Sequence, residues 1–177
     1  MRTRKSSKGL FNAEYITVLV LFIMFSTYFT YKLVEQRPTY LREVNKEMLR
    51  SESYRLSEML INDPGYPNDW NTLVGGASEA NIKRIALLDQ SENETNLLST
   101  SKISGLNTLC LRANGYENVK RLVGAAHDFS ILVINSTEAP KVLIDCKPSA
   151  TGEVVASIKR LVAFGSGNFG EMVVQMW

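Results

Sequence analysis

Lys8-Gly9-Leu10-Phe11-Asn12-Ala13-Glu14, followed by Tyr15–Tyr31 (YITVLVLFIMFSTYFTY), is the stretch on which the reading of this chain turns. Leu10 to Tyr31 is 22 residues with one charged side chain, Glu14. As an α-helix it is about 33 Å long, enough to cross a hydrocarbon layer of about 30 Å. A helix buried in a globular core is the competing reading, but such helices rarely run this far without a polar face. Arg2, Arg4, Lys5 and Lys8 precede the run with no acid among residues 1–9. That charge asymmetry predicts a cytoplasmic amino end, with the remainder of the chain outside.

Working outward, a secretory signal peptide fits poorly. Its small-residue cleavage step should follow the apolar region, whereas here Lys32, Glu35 and Arg37 follow it. Beyond Gly9 the chain holds 16 basic and 18 acidic side chains, so the body is mildly acidic and does not point to nucleic acid. A single His and two Cys give no ligand set for a structural zinc or an iron–sulfur cluster. No metal and no cofactor is expected. At 177 residues there is room for one domain and an extra element.

The order of basic leader, Gly9, Glu14 and retained apolar helix resembles a type IV prepilin, and in particular the archaeal class III signal peptide. In that family the cut falls directly after the Gly and a Glu stands fifth in the mature chain. The resemblance implies cleavage between Gly9 and Leu10, with Glu14 at the fifth position. Leu10 and Asn12 stand where the archaeal branch favours Gln and Ser. A carboxylate inside an apolar span costs about 2.5–3.5 kcal/mol at mid-membrane. After cleavage Glu14 lies one helical turn from the new α-ammonium of Leu10. The pairing of one subunit's Glu14 with a neighbour's amine would then set axial register in a bundle. In an unprocessed chain, Glu14 would instead sit near the cytoplasmic boundary, in reach of water.

The helix is expected to continue past the apolar run. Leu41, Val44, Met48, Leu49, Leu56 and Leu60 recur at spacings of three, four and seven, with good helix formers between them. Pro38 is expected to bend or locally open it, and Asn62-Asp63-Pro64-Gly65-Tyr66-Pro67 ends it. A helix from Leu10 to Ile61 is about 78 Å long. The predicted division is a leader at 1–9, a stalk helix at 10–62 and a head at 63–177. Within the head, Arg84–Leu88 reads as a short strand, Ser99–Ala113 as a helix ended by Asn114-Gly115, and Tyr116–Val123 as a second helix closed by Gly124. Phe129–Ile134 and Val142–Ile144 read as strands, as do Glu153–Phe164 and Phe169–Trp177 around Gly165-Ser166-Gly167-Asn168. The expected class is α+β: a long amino-terminal α-helix packed on a carboxy-terminal head with a mainly antiparallel sheet.

The head offers little chemistry. Cys110 and Cys146 either form a bridge, worth roughly 3–4 kcal/mol in an oxidising compartment, or pack as two small apolar side chains. Asn93-Glu94-Thr95 and Asn135-Ser136-Thr137 are acceptor triplets for N-linked sugar. His127, Asp128 and Ser130 do not form a relay, because neighbours on a strand face opposite ways. Gly165 to Gly170 lacks a P-loop Lys-Ser/Thr and reads as a hairpin turn. Glu92 and Glu94 lie in a polar loop. No catalytic residue is expected.

Two functions follow. The resemblance implies a structural subunit of an extracellular filament, matured by a membrane prepilin peptidase and extracted by an assembly ATPase and platform protein. Its partners would be copies of itself or related pilins, with the membrane as its location before assembly. The alternative is a single-pass anchored surface module that binds a partner and never polymerises.

Overall fold

The computed structural model describes the backbone of residues 8–90, 96–137, 140–165 and 167–177. It is an α+β fold, as the pattern of apolar residues predicts. The first helix, α1 (Lys8–Asn62), runs through position 38 without interruption. A proline there removes one backbone donor, and the helix on either side carries the run across it.

The chain divides into two compact units, the first reaching to Asn45 and the second running from Lys46 to Trp177. This division differs from the stalk–head boundary expected at residue 62. Leu49, Leu56, Leu60 and Ile61 are buried in the core of the second unit, so Lys46–Asn62 is part of that core. Ser53 and Ser57 are fully buried on the same segment. Their hydroxyls donate to the Arg50 and Tyr54 carbonyls, which satisfies both donors within the helix.

The second unit continues with α2 (Trp70–Leu73), a 3₁₀ turn (Glu79–Asn81), β1 (Leu97–Leu98), α3 (Thr100–Cys110) and α4 (Gly115–Val123). Then come β2 (Phe129–Asn135), β3 (Lys141–Cys146), β4 (Ala156–Phe164) and β5 (Asn168–Met176). The sheet order is β1-β4-β5-β2-β3, with β1 parallel to β4 and every other pair antiparallel. Alternation sends Phe129, Ile131 and Val133 inward on β2, beside Met172, Val174 and Met176 on β5. Leu56 and Leu60 of α1, Ile103 and Leu106 of α3 and Val119 of α4 belong to the same buried cluster.

The strand expected at Arg84–Leu88 does not form. Arg84 and Leu88 make isolated bridges to Tyr66 and Leu98, while Ile85, Ala86 and Leu87 are fully buried between them. The segment is held by the end of α1. The Leu87 amide donates to the Leu60 carbonyl at 2.8 Å and the Leu88 amide to the Asp63 carbonyl at 3.3 Å. Unpaired carbonyls at a helix end thus take the donors that a sheet would have used.

Gly65 and Gly115 are required by geometry. Gly65 has φ +84°, and a Cβ there would lie 2.6 Å from Trp70 Cδ1. At the α3–α4 junction, a Cβ on Gly115 would lie 2.2 Å from the Leu109 carbonyl oxygen. Gly124 (φ +67°) closes α4 in the left-handed conformation, as expected.

Candidate functional site

The feature with the clearest chemical character is the surface of α1 in the first unit. Every residue from Ala13 to Arg37 is exposed, including the whole apolar run Tyr15–Tyr31. Seventeen consecutive residues cover all sides of a helix, so no polar face is left to meet water. The three threonine hydroxyls in the run are bonded within the helix. Thr17 donates to the Ala13 carbonyl at 2.9 Å, Thr27 to Ile23 at 2.8 Å and Thr30 to Ser26 at 2.9 Å. Such back-bonding lets threonine enter an apolar medium without an orphaned donor. Lys32 and Glu35 pair at 2.7 Å where the apolar run ends. By length and composition this is one helix able to cross a membrane.

Glu14 is exposed on this helix and has no partner among the described residues. Gly9 and Leu10 lie in the first turn of α1. Gly9, Leu10 and Glu14 thus lie in the first two turns of α1.

The second unit is knit to Lys46–Asn62 by polar contacts that the periodicity of the sequence does not reveal. Glu52 accepts the Ala126 amide at 2.7 Å and pairs with His127 Nδ1 at 2.5 Å. Burial pushes its carboxyl up, but the hydrogen bonds from His127 and Ala126 and the charge of His127 outweigh it, leaving Glu52 below its ordinary value. Arg160 of β4 pairs with Glu58, lies 4.6 Å over the Tyr54 ring and donates to Ser57 Oγ at 3.4 Å. Lys102 of α3, only 6% exposed, donates to the Pro64 carbonyl at 2.8 Å, the Leu88 carbonyl at 2.9 Å and Asn68 Oδ1 at 3.2 Å. Burial pulls its amine below the usual range, opposed by Asp89, Asp63 and Asp69. Its partners are spread over distant stretches of chain, which is why no motif marks it.

His127, Asp128 and Ser130 go to three separate destinations. His127 meets Glu52, Asp128 takes Lys120 at 2.6 Å and the Tyr116 hydroxyl at 3.2 Å, and Ser130 donates to Gln175 at 3.3 Å. The Tyr116 hydroxyl in turn accepts the Phe129 amide at 2.9 Å. Burial, with the Asp128 charge adding to it against the Phe129 amide, pushes that phenol up to about 12. These groups fasten α4 to the start of β2.

Cys110 and Cys146 form a disulfide with Cα atoms 5.7 Å apart, joining the end of α3 to the end of β3. Asn135 ends β2 and is half-buried. Asn93, with Glu92 and Glu94, lies outside the described residues, as does Ser166 of the β4–β5 turn. The other residues of that turn join two antiparallel strands, as expected.

No family model matches the chain, and no solved structure matches it. The chain is similar to an uncharacterised protein of Archaeoglobus fulgidus, 33% identical over 101 residues. The match takes in 51% of this chain and 53% of that protein, so the chain spans about half the length of the relative it matches.

Proposed function

We propose that this chain is the subunit of an extracellular type IV pilus-like filament, held in the membrane before assembly by residues 10–31. The observation that carries the proposal is the helix surface from Tyr15 to Tyr31, apolar on every side and exposed throughout. Such a surface needs either lipid or other apolar helices around it. The leader pattern supports the second environment as the final one: Lys8 and Gly9 mark a cut, and Glu14 stands fifth after it. Exchange of lipid for helices brings no hydrophobic gain, so close packing and Glu14–amine pairing between copies must supply the attraction. A prepilin peptidase, an assembly ATPase and a platform protein are the partners this route requires. The disulfide supports an oxidising compartment for the head, with the amino end in the cytoplasm before processing.

The test is the amino terminus of the native protein. A chain beginning at Leu10, together with filaments that disappear in Gly9→Val, is the expected result. A native chain that retains Arg2–Gly9 and forms no filament supports the second reading, a single-pass surface module, which the same exposed helix would anchor.

A further inference from the structure

A cleft of about 420 Å³ opens in the second unit between the 3₁₀ turn and α4. That size falls within the roughly 300–1,000 Å³ of small-molecule sites. Its apolar lining comes from the buried Ile82 and Leu109 and the partly buried Leu122. Its polar lining is Glu79 and Lys83 from the turn and the residues after it, with Asn118 and Arg121 from α4. Asn118, Arg121 and Leu122 share one face of α4, being three and four residues apart. The one acid is already committed. Glu79 accepts the Gly75 amide at 2.7 Å and pairs with Arg112 at 2.5 Å. That amide first, and the guanidinium with it, hold its carboxyl below the ordinary range. Lys83 and Arg121 have no acidic partner among the described residues, and the Arg121 guanidinium meets Asn118 Oδ1 of its own helix at 3.5 Å. Two uncompensated cations beside an apolar lining are complementary to an anion with an apolar body. A carboxylate takes two parallel N–H groups of a guanidinium and leaves an oxygen lone pair for an ammonium. A phosphate ester fits less well. Phosphate sites draw on helix amino ends, whereas Leu109 and Leu122 each stand one residue before the end of their helix, where the dipole is negative.

We propose that this cleft binds a small monocarboxylate with a compact apolar body, of the size of a phenyl or branched alkyl group. Arg121 and Lys83 hold the carboxylate, and the body lies on Ile82, Leu109 and Leu122. The site lies wholly within residues 46–177 and does not depend on whether the chain polymerises.

The experiment is a titration of the full chain in lipid nanodiscs with phenylacetate, read by saturation-transfer NMR against empty nanodiscs. Phenylacetamide and phenyl phosphate are titrated in parallel. The expected result is saturable binding of phenylacetate, tighter than either analogue and weakened at least tenfold in both Arg121→Gln and Lys83→Gln. Both side chains belong to exposed residues, so these variants are expected to keep the parent's urea midpoint. Asn118→Trp, which fills the cleft from an exposed position, is expected to abolish binding. No saturable signal above that of empty nanodiscs overturns the site. Equal binding of phenylacetamide overturns the role of the two cations, and tighter binding of phenyl phosphate overturns the carboxylate class. Undiminished affinity in Arg121→Gln or Asn118→Trp puts the ligand elsewhere and overturns the proposal.

Discussion

One ammonium, that of Lys102, holds the Pro64 and Leu88 carbonyls and the Asn68 side chain from a buried position. Removing it leaves two backbone acceptors without donors. Lys102→Met is expected to lower stability by about 3 kcal/mol, read as a shift in the urea midpoint at unchanged slope. Glu52 gives a prediction in pH. Its carboxyl lies below the ordinary 4.5 in the folded chain, so the unfolded chain binds its proton more readily. The stabilisation is complete above about that ordinary value and is lost as pH falls through the lower folded value. In Glu52→Gln the acid limb of the stability curve is expected to flatten, with Glu79 and Asp128, also below their ordinary values, supplying what remains. Gly65→Ala meets both the positive φ and the Trp70 ring, and is expected to cost more than the roughly 1 kcal/mol of a left-handed alanine alone.

Among the elements, those with strong local signals were legible before any coordinates. Asn114-Gly115 and Gly124 punctuate α3 and α4 as read, and the alternation from Phe129 to Ile134 gives β2 its inward face. Arg84–Leu88 was not legible as it is, because its Arg84, Leu87 and Leu88 amides go to the Tyr66, Leu60 and Asp63 carbonyls, at and just beyond the end of α1. Periodicity also reads Lys32–Ile61 as one amphipathic stretch and is silent on where it joins the core. That junction at Lys46 depends on tertiary packing of Leu49, Leu56 and Leu60. Of the expected site residues, Gly9, Leu10 and Glu14 are proposed from sequence because a cleavage pattern is written in neighbouring residues. The Glu52–His127 and Arg160–Glu58 ties were not, since they join residues far apart in sequence. The disulfide closes α3 onto β3, an edge strand of the sheet. Cys146→Ser is expected to cost about 3–4 kcal/mol and to raise hydrogen exchange first along β3.

For the whole molecule, the two compact units make different demands on the solvent. Residues 46–177 contain the buried cluster, the sheet and the disulfide. Expressed alone under oxidising conditions, they are expected to fold cooperatively and remain monomeric by sedimentation, whereas the full chain is expected to need detergent to stay dispersed. Glu14→Ala in the full chain is expected to leave membrane insertion intact and to reduce filament yield at least tenfold, counted by electron microscopy. Normal yield would remove the register role assigned to that carboxylate.

The burial of Lys46–Asn62 has a mechanical consequence. Leu49, Leu56, Leu60 and Ile61 sit in the core beside the sheet, and Arg160 and His127 hold the same segment by its polar side. Tension applied at Lys46 along this segment would load those contacts together, so failure means sliding a whole greasy ridge out of its bed rather than peeling bonds one at a time. The rate of rupture under load is set by the barrier to that slide. A segment gripped in this way is expected to come out in one step under load, at a rate set by that barrier and not by the equilibrium stability alone.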